Sequence, residues 1–262
     1  MYLISAECFD HRYFWQDEGT GCCYYTCGLA REGGAIAIRK VKPDKFLTDT
    51  WFNTLDAFED NPVVVGFIVE QTCLSAMSSL GLNIRDLHWN PLKPKIFSGD
   101  LLYAISLETS QALYIPDQWN YKDIDALYVY IDKKTKTILI VPIQISINPL
   151  HKDSEACFYA GWQRWMKHFE GYTLSSTFLW IVEHDRSWKI VDEQLRAIRG
   201  TTQLIAPQHK QMHVTVGDVY PPLGERLEAR ARRMRRQSGR SLCPELTFAS
   251  DVRSRATELQ DD

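Results

Sequence analysis

The 262-residue chain contains no GxxxxGK[ST] sequence, which excludes a P-loop role for it. Its seven cysteines are odd in number and irregularly spaced, so they do not read as a disulfide framework and point to a reducing compartment. Cys22, Cys23 and Cys27 cluster near the start, yet neither a Cys-x-x-Cys pair nor a close histidine pair accompanies them. Ligand count and spacing therefore fall short of structural zinc patterns, and small buried side chains are the reading. The opening stretch, MYLISAECFDHRYFWQDEGTG, has early acidic and aromatic residues and no apolar run of the length a signal peptide or membrane span requires. No membrane partner is expected anywhere along the chain. Net charge is only −3, so total charge gives no argument for non-specific attraction to nucleic acid.

What is present is material for a core. With 45% hydrophobic residues, 24% charged and 8 Trp, the composition fits one domain with a tail and is not that of a disordered protein. The expected division is an N-terminal extension over 1–40, a folded domain over 41–222, and an arginine-rich, partly disordered tail over 223–262.

Periodicity supplies the elements. Residues 22–40 mix aromatic and small residues and are expected to form a hairpin, or a strand and turn, with Arg31 at the surface. Phe46, Leu47, Trp51, Leu55 and Phe58 fall near helical spacing, closed by Asn61 and Pro62. Residues 62–81 are the strongest helix, with Pro62 suited to a first turn and Gly81 to a C-terminal cap. Residues 100–116 predict a strand or two with a polar turn near Glu108 to Gln111. Cys157, Phe158, Trp162, Trp165, Met166 and Phe169 sit at helical positions, and TFLWIVEH follows as a buried strand. Trp162, Trp165 and Phe169 read as core rather than a base-stacking platform, and His168 and His184 are given no role. A short helix over 189–200 and an edge strand beginning near Gln211 follow. The result is an α/β fold of helix, strand, hairpin, helix and strand.

The most informative stretch is 117–151. IDALYVYI is β-branched and aromatic, DKKTKT is a polar turn, and ILIVPIQISI is an almost unbroken apolar run, so the pair predicts a hairpin. Side chains alternate along a strand, placing Asp125, Leu127 and Val129 on one face of the first and Gln144, Ser146 and Asn148 on one face of the second. Where those faces coincide, a carboxylate and an amide converge. Gln144 and Ser146 interrupt an apolar run, where an unpaired polar group costs about 1–3 kcal/mol. Two explanations stand: they satisfy each other or a nearby loop, or they belong to a site. Glu70 poses the same choice, because Phe67, Cys73 and Leu74 neighbour it at helical spacing. It is either paired or metal-facing, or bonded at a helix edge.

Taken in order, Cys27-Gly28-Leu29-x-Arg31, the segment Trp51 to Phe58, VVGFIVEQTCLSAMSSLGL, the Asp125 strand, and QIS with His151 downstream resemble the restriction-endonuclease-like domain of Crinkler effectors and retrotransposon hot spot proteins over about residues 20–185. The resemblance implies a PD-(D/E)xK-type fold, a mixed sheet flanked by helices. Its helix glutamate falls on Glu70, its second-strand acid on Asp125, its third-strand acid or glutamine on Gln144, and its lysine position on Ser146. Such a site holds Mg²⁺ through oxygen ligands, here Asp125, Gln144 and Glu70, and uses a cation to orient water and stabilise developing charge. A serine hydroxyl supplies no charge, although Gln-x-Ser is common in this branch. Lys122, His151 and Lys152 are candidates to fill the gap from the hairpin ends. Members generally carry a secretion region ahead of this domain and often a nucleotide-hydrolysing domain after it, so the chain is expected to be a truncated member or a C-terminal fragment.

Residues 225–240, ERLEARARRMRRQSGR, carry seven arginines against two glutamates and predict a basic helix. Arg230, Arg232, Arg233, Arg235 and Arg236 are its candidate nucleic-acid contacts; import signal, phosphate-binding arm and solvated tail all remain open. Three functions follow: a Mg²⁺-dependent nuclease acting on DNA or RNA in the nucleus, that of a host cell included; a non-catalytic module binding nucleic acid or a host nuclear protein; or a structural interaction domain.

Overall fold

A computed structural model describes residues 14–16, 23–25, 33–35, 37–38, 42–117, 121, 124–147, 154–183 and 209–240. The chain divides into two compact units, Met1–Glu225 and Arg226–Asp262.

Asn61 starts the longest helix of the first unit by accepting from Val63 N–H at 3.1 Å and Val64 N–H at 3.3 Å, with Pro62 in the first turn. This helix, α2 (Pro62–Ser79), follows a 3₁₀ turn (Pro43–Leu47) and α1 (Asp49–Ala57). It ends at Gly81, whose φ is +81° and whose missing Cβ would lie 2.4 Å from the Trp89 carbonyl oxygen. Only glycine meets both demands. By length and composition α2 is apolar enough to cross a membrane, yet 67% of it is buried inside the fold, as befits a helix apolar almost all round. Trp51 Nε1 donates to Thr72 Oγ1 at 3.0 Å, and that hydroxyl donates to the Phe46 carbonyl at 3.3 Å, so a buried threonine ties α1 to α2.

Strands β1 (Phe14–Gln16) and β2 (Cys23–Tyr25) pair antiparallel, as do β3 (Leu82–Ile84) and β4 (Leu87–Trp89). The main sheet contains β5 (Lys95–Phe97), β6 (Gln111–Pro116), β7 (Ala126–Asp132), β8 (Thr137–Ser146), β9 (Thr173–Val182) and β10 (Lys210–Thr215). Its order is β10-β9-β8-β7-β6-β5, and only β7 runs against the rest. The fold is thus α/β with a mixed sheet flanked by helices. The β7–β8 hairpin closes where Asp132 Oδ1 accepts from Lys134 N–H at 2.8 Å and Thr135 N–H at 3.3 Å.

Alternation sorts the two faces. Leu127, Val129, Ile138 and Ile140 join Trp162, Trp165, Phe169, Phe178 and Trp180 in one core. This face is covered by α3 (Leu101–Ala104), α4 (Ser154–Ala160) and α5 (Trp162–His168). Tyr128 points the other way and stacks on Trp89 at 4.2 Å, while Trp89 Nε1 donates to the Met77 carbonyl of α2 at 3.2 Å.

Several expectations change. Residues 101–104 form a helical turn rather than a strand, because the Asp100 side chain accepts from Leu102 N–H at 3.1 Å. The predicted single helix from Cys157 to Phe169 breaks at Gly161 into α4 and α5; Cys157 on α4 is exposed, and Met166 on α5 is 57% exposed. Strands β3, β4 and β5 were not anticipated. The helix expected over 189–200, together with Arg31, Lys122, Asn148, His151, Lys152 and His184, lies outside the described residues.

Candidate functional site

Pairing of Ala126 with Ile143 and Leu127 with Pro142 places Asp125 across from Gln144. Gln144 Nε2 donates to Asp125 Oδ2 at 2.8 Å, and Ile145 N–H donates to the same oxygen at 2.6 Å. Asp125 N–H reaches the Ile143 carbonyl at 2.9 Å, one residue out of step with the Ala126–Ile143 pairing. At this slip the carboxylate takes over as acceptor where the regular ladder ends. Asp125 is half-buried and Gln144 is 7% exposed. The carboxylate and the amide expected to converge are in direct contact.

Glu70, half-buried on α2, accepts from Gln71 Nε2 at 3.1 Å. One turn later, the fully buried Cys73 thiol is pushed well above its usual range, first by burial and then by the negative charges of Glu70 and Asp125. The helix carboxylate and the strand carboxylate therefore lie within electrostatic reach of one thiol. Cys73 entered the sequence reading only as a neighbour of Glu70; its place between two acids depends on the α2–sheet contact, which spacing does not reveal. Ser146, two residues beyond Gln144 and paired with Val182, is buried.

Asp125, Glu70 and the Gln144 carbonyl offer oxygen atoms of the hard kind that Mg²⁺ takes, and of the three only Asp125 and Gln144 are in direct contact. The Gln144 amide now turns its NH₂ toward Asp125; rotating the amide by half a turn would present its oxygen instead. Among the described residues, no three His, Cys, Asp or Glu side chains gather as a ready metal cluster.

A second polar cluster was not foreseen. Glu155 on α4 is 3% exposed and meets His209 Nε2 through Oε1 and Gln211 Nε2 through Oε2. Tyr159, one turn later, stacks on His209 at 3.9 Å, and its hydroxyl shares a 2.7 Å bond with Ser176. Burial raises the Tyr159 phenol above its ordinary range, with the Glu155 charge adding to the shift against the Ser176 hydrogen bond.

In the helix α6 (Pro221–Arg240), a step of about 100° per residue separates the arginines into stripes. Arg232, Arg235 and Arg236 share one side and are exposed; Arg230 and Arg233 lie on another, with Arg230 partly covered. Arg232 Nη2 pairs with Glu228 at 3.3 Å, and Arg235 Nε donates to the Ala231 carbonyl at 3.2 Å.

No family model matches the chain, and neither does a curated protein or a solved structure.

Proposed function

We propose that the chain is a nuclease-like domain of the Crinkler and retrotransposon hot spot type, with a restriction-endonuclease-like fold. In this reading Asp125, Gln144 and Glu70 hold a Mg²⁺ ion for hydrolysis of DNA or RNA phosphodiesters in the nucleus. The observation that carries it is the contact of Asp125 with Gln144 at the slipped end of the β7–β8 ladder, beside a thiol that also feels Glu70. When bound, Mg²⁺ would polarise a phosphoryl oxygen and lower the pKa of a water. The protein would orient it through Asp125, whose Oδ2 is anchored by Ile145 N–H. Gln144 would serve as a neutral ligand, and its amide hydrogen bond would stand in for the cation in the metal-free state. Ser146 would contribute a hydroxyl at the site but no positive charge.

The missing lysine favours a second reading: the same fold binds nucleic acid or a host nuclear protein without turnover, using the exposed Arg232, Arg235 and Arg236 stripe. Cleavage of labelled single- and double-stranded DNA and RNA in Mg²⁺ or Mn²⁺, beside Asp125→Ala, separates the two. The nuclease reading predicts metal-dependent cutting that drops at least about a hundredfold in the variant. A folded protein that cuts none of these substrates, yet binds them in a salt-sensitive way unaffected by Asp125→Ala, supports the second.

A further inference from the structure

The two carboxylates assigned to the candidate site are held in the same way. Asp125, half-buried, accepts from the amide of Gln144, which is 7% exposed. Glu70, also half-buried, accepts from the amide of Gln71, which is 1% exposed. In each pair the glutamine is the more deeply buried partner. A side chain packed at interior density keeps one rotamer, where a half-buried one has several to choose from. The amide is therefore the fixed end of the bond, and the carboxylate is the end that is held.

The Gln71–Glu70 contact is the less expected of the two. Successive residues on a helix point about 100° apart, so neighbours do not face each other, and partners normally come from three or four residues away. Glu70 instead leans along the surface of α2 toward the buried Gln71 to accept at 3.1 Å. The Cys73 thiol, one turn on, registers where that leaves it, since it feels the charges of both Glu70 and Asp125. Two like charges within reach of one group repel each other, and an amide donor on each offsets part of that repulsion.

We infer that Gln71 is a positioning residue of the candidate site, its buried amide fixing the direction of the Glu70 carboxylate as the Gln144 amide fixes that of Asp125. Gln71 touches neither metal nor substrate in this role; it acts through Glu70. Its functional meaning rests on the metal reading above, whereas the hold on Glu70 does not.

Gln71→Met and Gln71→Leu both remove the donor and keep an apolar side chain of similar bulk in the buried position, so one misfolded variant does not end the test. In metal-free buffer, three-bond couplings about the Glu70 side chain are expected to show one rotamer in the wild type and averaging in the folded variants. Averaging already in the wild type, or one rotamer kept in the variants, overturns the inference whether or not any metal binds. Calorimetric titration of Mn²⁺ into the wild type, Gln71→Met, Glu70→Ala and the double variant reads the consequence. Gln71→Met is expected to weaken Mn²⁺ binding about three- to tenfold, the range that one hydrogen bond spans. Where Glu70 is already alanine, the same change is expected to weaken it by less than about twofold. Equal weakening in both backgrounds means that Gln71 acts on the fold at large and overturns the inference. No Mn²⁺ binding by the wild type removes the metal reading alone, and the rotamer measurement still decides the hold on Glu70.

Discussion

Asp125 and Glu155 are built from the same parts and come to different ends. Each is a carboxylate accepting from a glutamine amide brought to it by a strand. At Glu155 each oxygen has its own donor, His209 and Gln211, and the group is 3% exposed. At Asp125 the Gln144 amide and Ile145 N–H converge on Oδ2, and the residue is only half-buried. A carboxylate sealed on both oxygens is a strut between α4 and the β10 edge. One that sits at a ladder slip, with a rotatable amide beside it, is the one that the proposed function assigns a cation. Accessibility and the freedom of the partner, not residue type, separate the two carboxylates.

Three changes test the contrast, from the largest effect down. Glu155→Ala leaves the part-buried His209 and Gln211 donors without their buried acceptor and should lower unfolding free energy by about 3 kcal/mol in urea titration. A loss below about 1 kcal/mol would mean that the cluster is solvated and not a strut. Gln144→Glu should act differently, because it sets a second carboxylate against Asp125. It is expected to cost about 1–2 kcal/mol without metal and to regain most of that in millimolar Mg²⁺. The same loss with and without Mg²⁺ would make the Asp125 site a strut like the other.

The smallest effect is acid sensitivity at Asp100. Burial tends to raise its carboxyl, but the Arg164 hydrogen bond, the Leu102 N–H and the Arg164 charge outweigh burial and hold it below the usual range. A lowered folded-state pKa contributes stability that is fully present above the ordinary carboxylate range and fades as pH falls through the lowered value. Asp100→Asn should therefore flatten the acid limb of a melting-temperature profile slightly, since solvent screens the exposed pair. An unchanged limb would show that the pair contributes no pH-dependent stability.

Much of this was legible locally. The Asn61-Pro62 start and Gly81 end of α2, the β7–β8 hairpin, and the opposition of Asp125 to Gln144 follow from capping chemistry, turn residues and the two-residue period of strands. The break at Gly161 was missed because Trp162, Trp165 and Phe169 keep helical spacing across it. Asp100 as a cap was missed because Leu101 and Leu102 read equally well as strand. The Glu155 cluster joins residues 54 and 56 positions apart, a separation that no local pattern encodes. Cys73 carries the same lesson, since its acidic neighbours come from its own helix and from the sheet.

The most direct test of the Asp125 site is calorimetric titration of Mn²⁺ into the protein and into Asp125→Asn, which keeps an acceptor for Ile145 N–H. The account predicts one saturable Mn²⁺ site in the wild type, displaced by Mg²⁺ and weakened at least about tenfold by the substitution, with melting temperature nearly unchanged in metal-free buffer. Equal Mn²⁺ binding by the two proteins, or none by either, would contradict it.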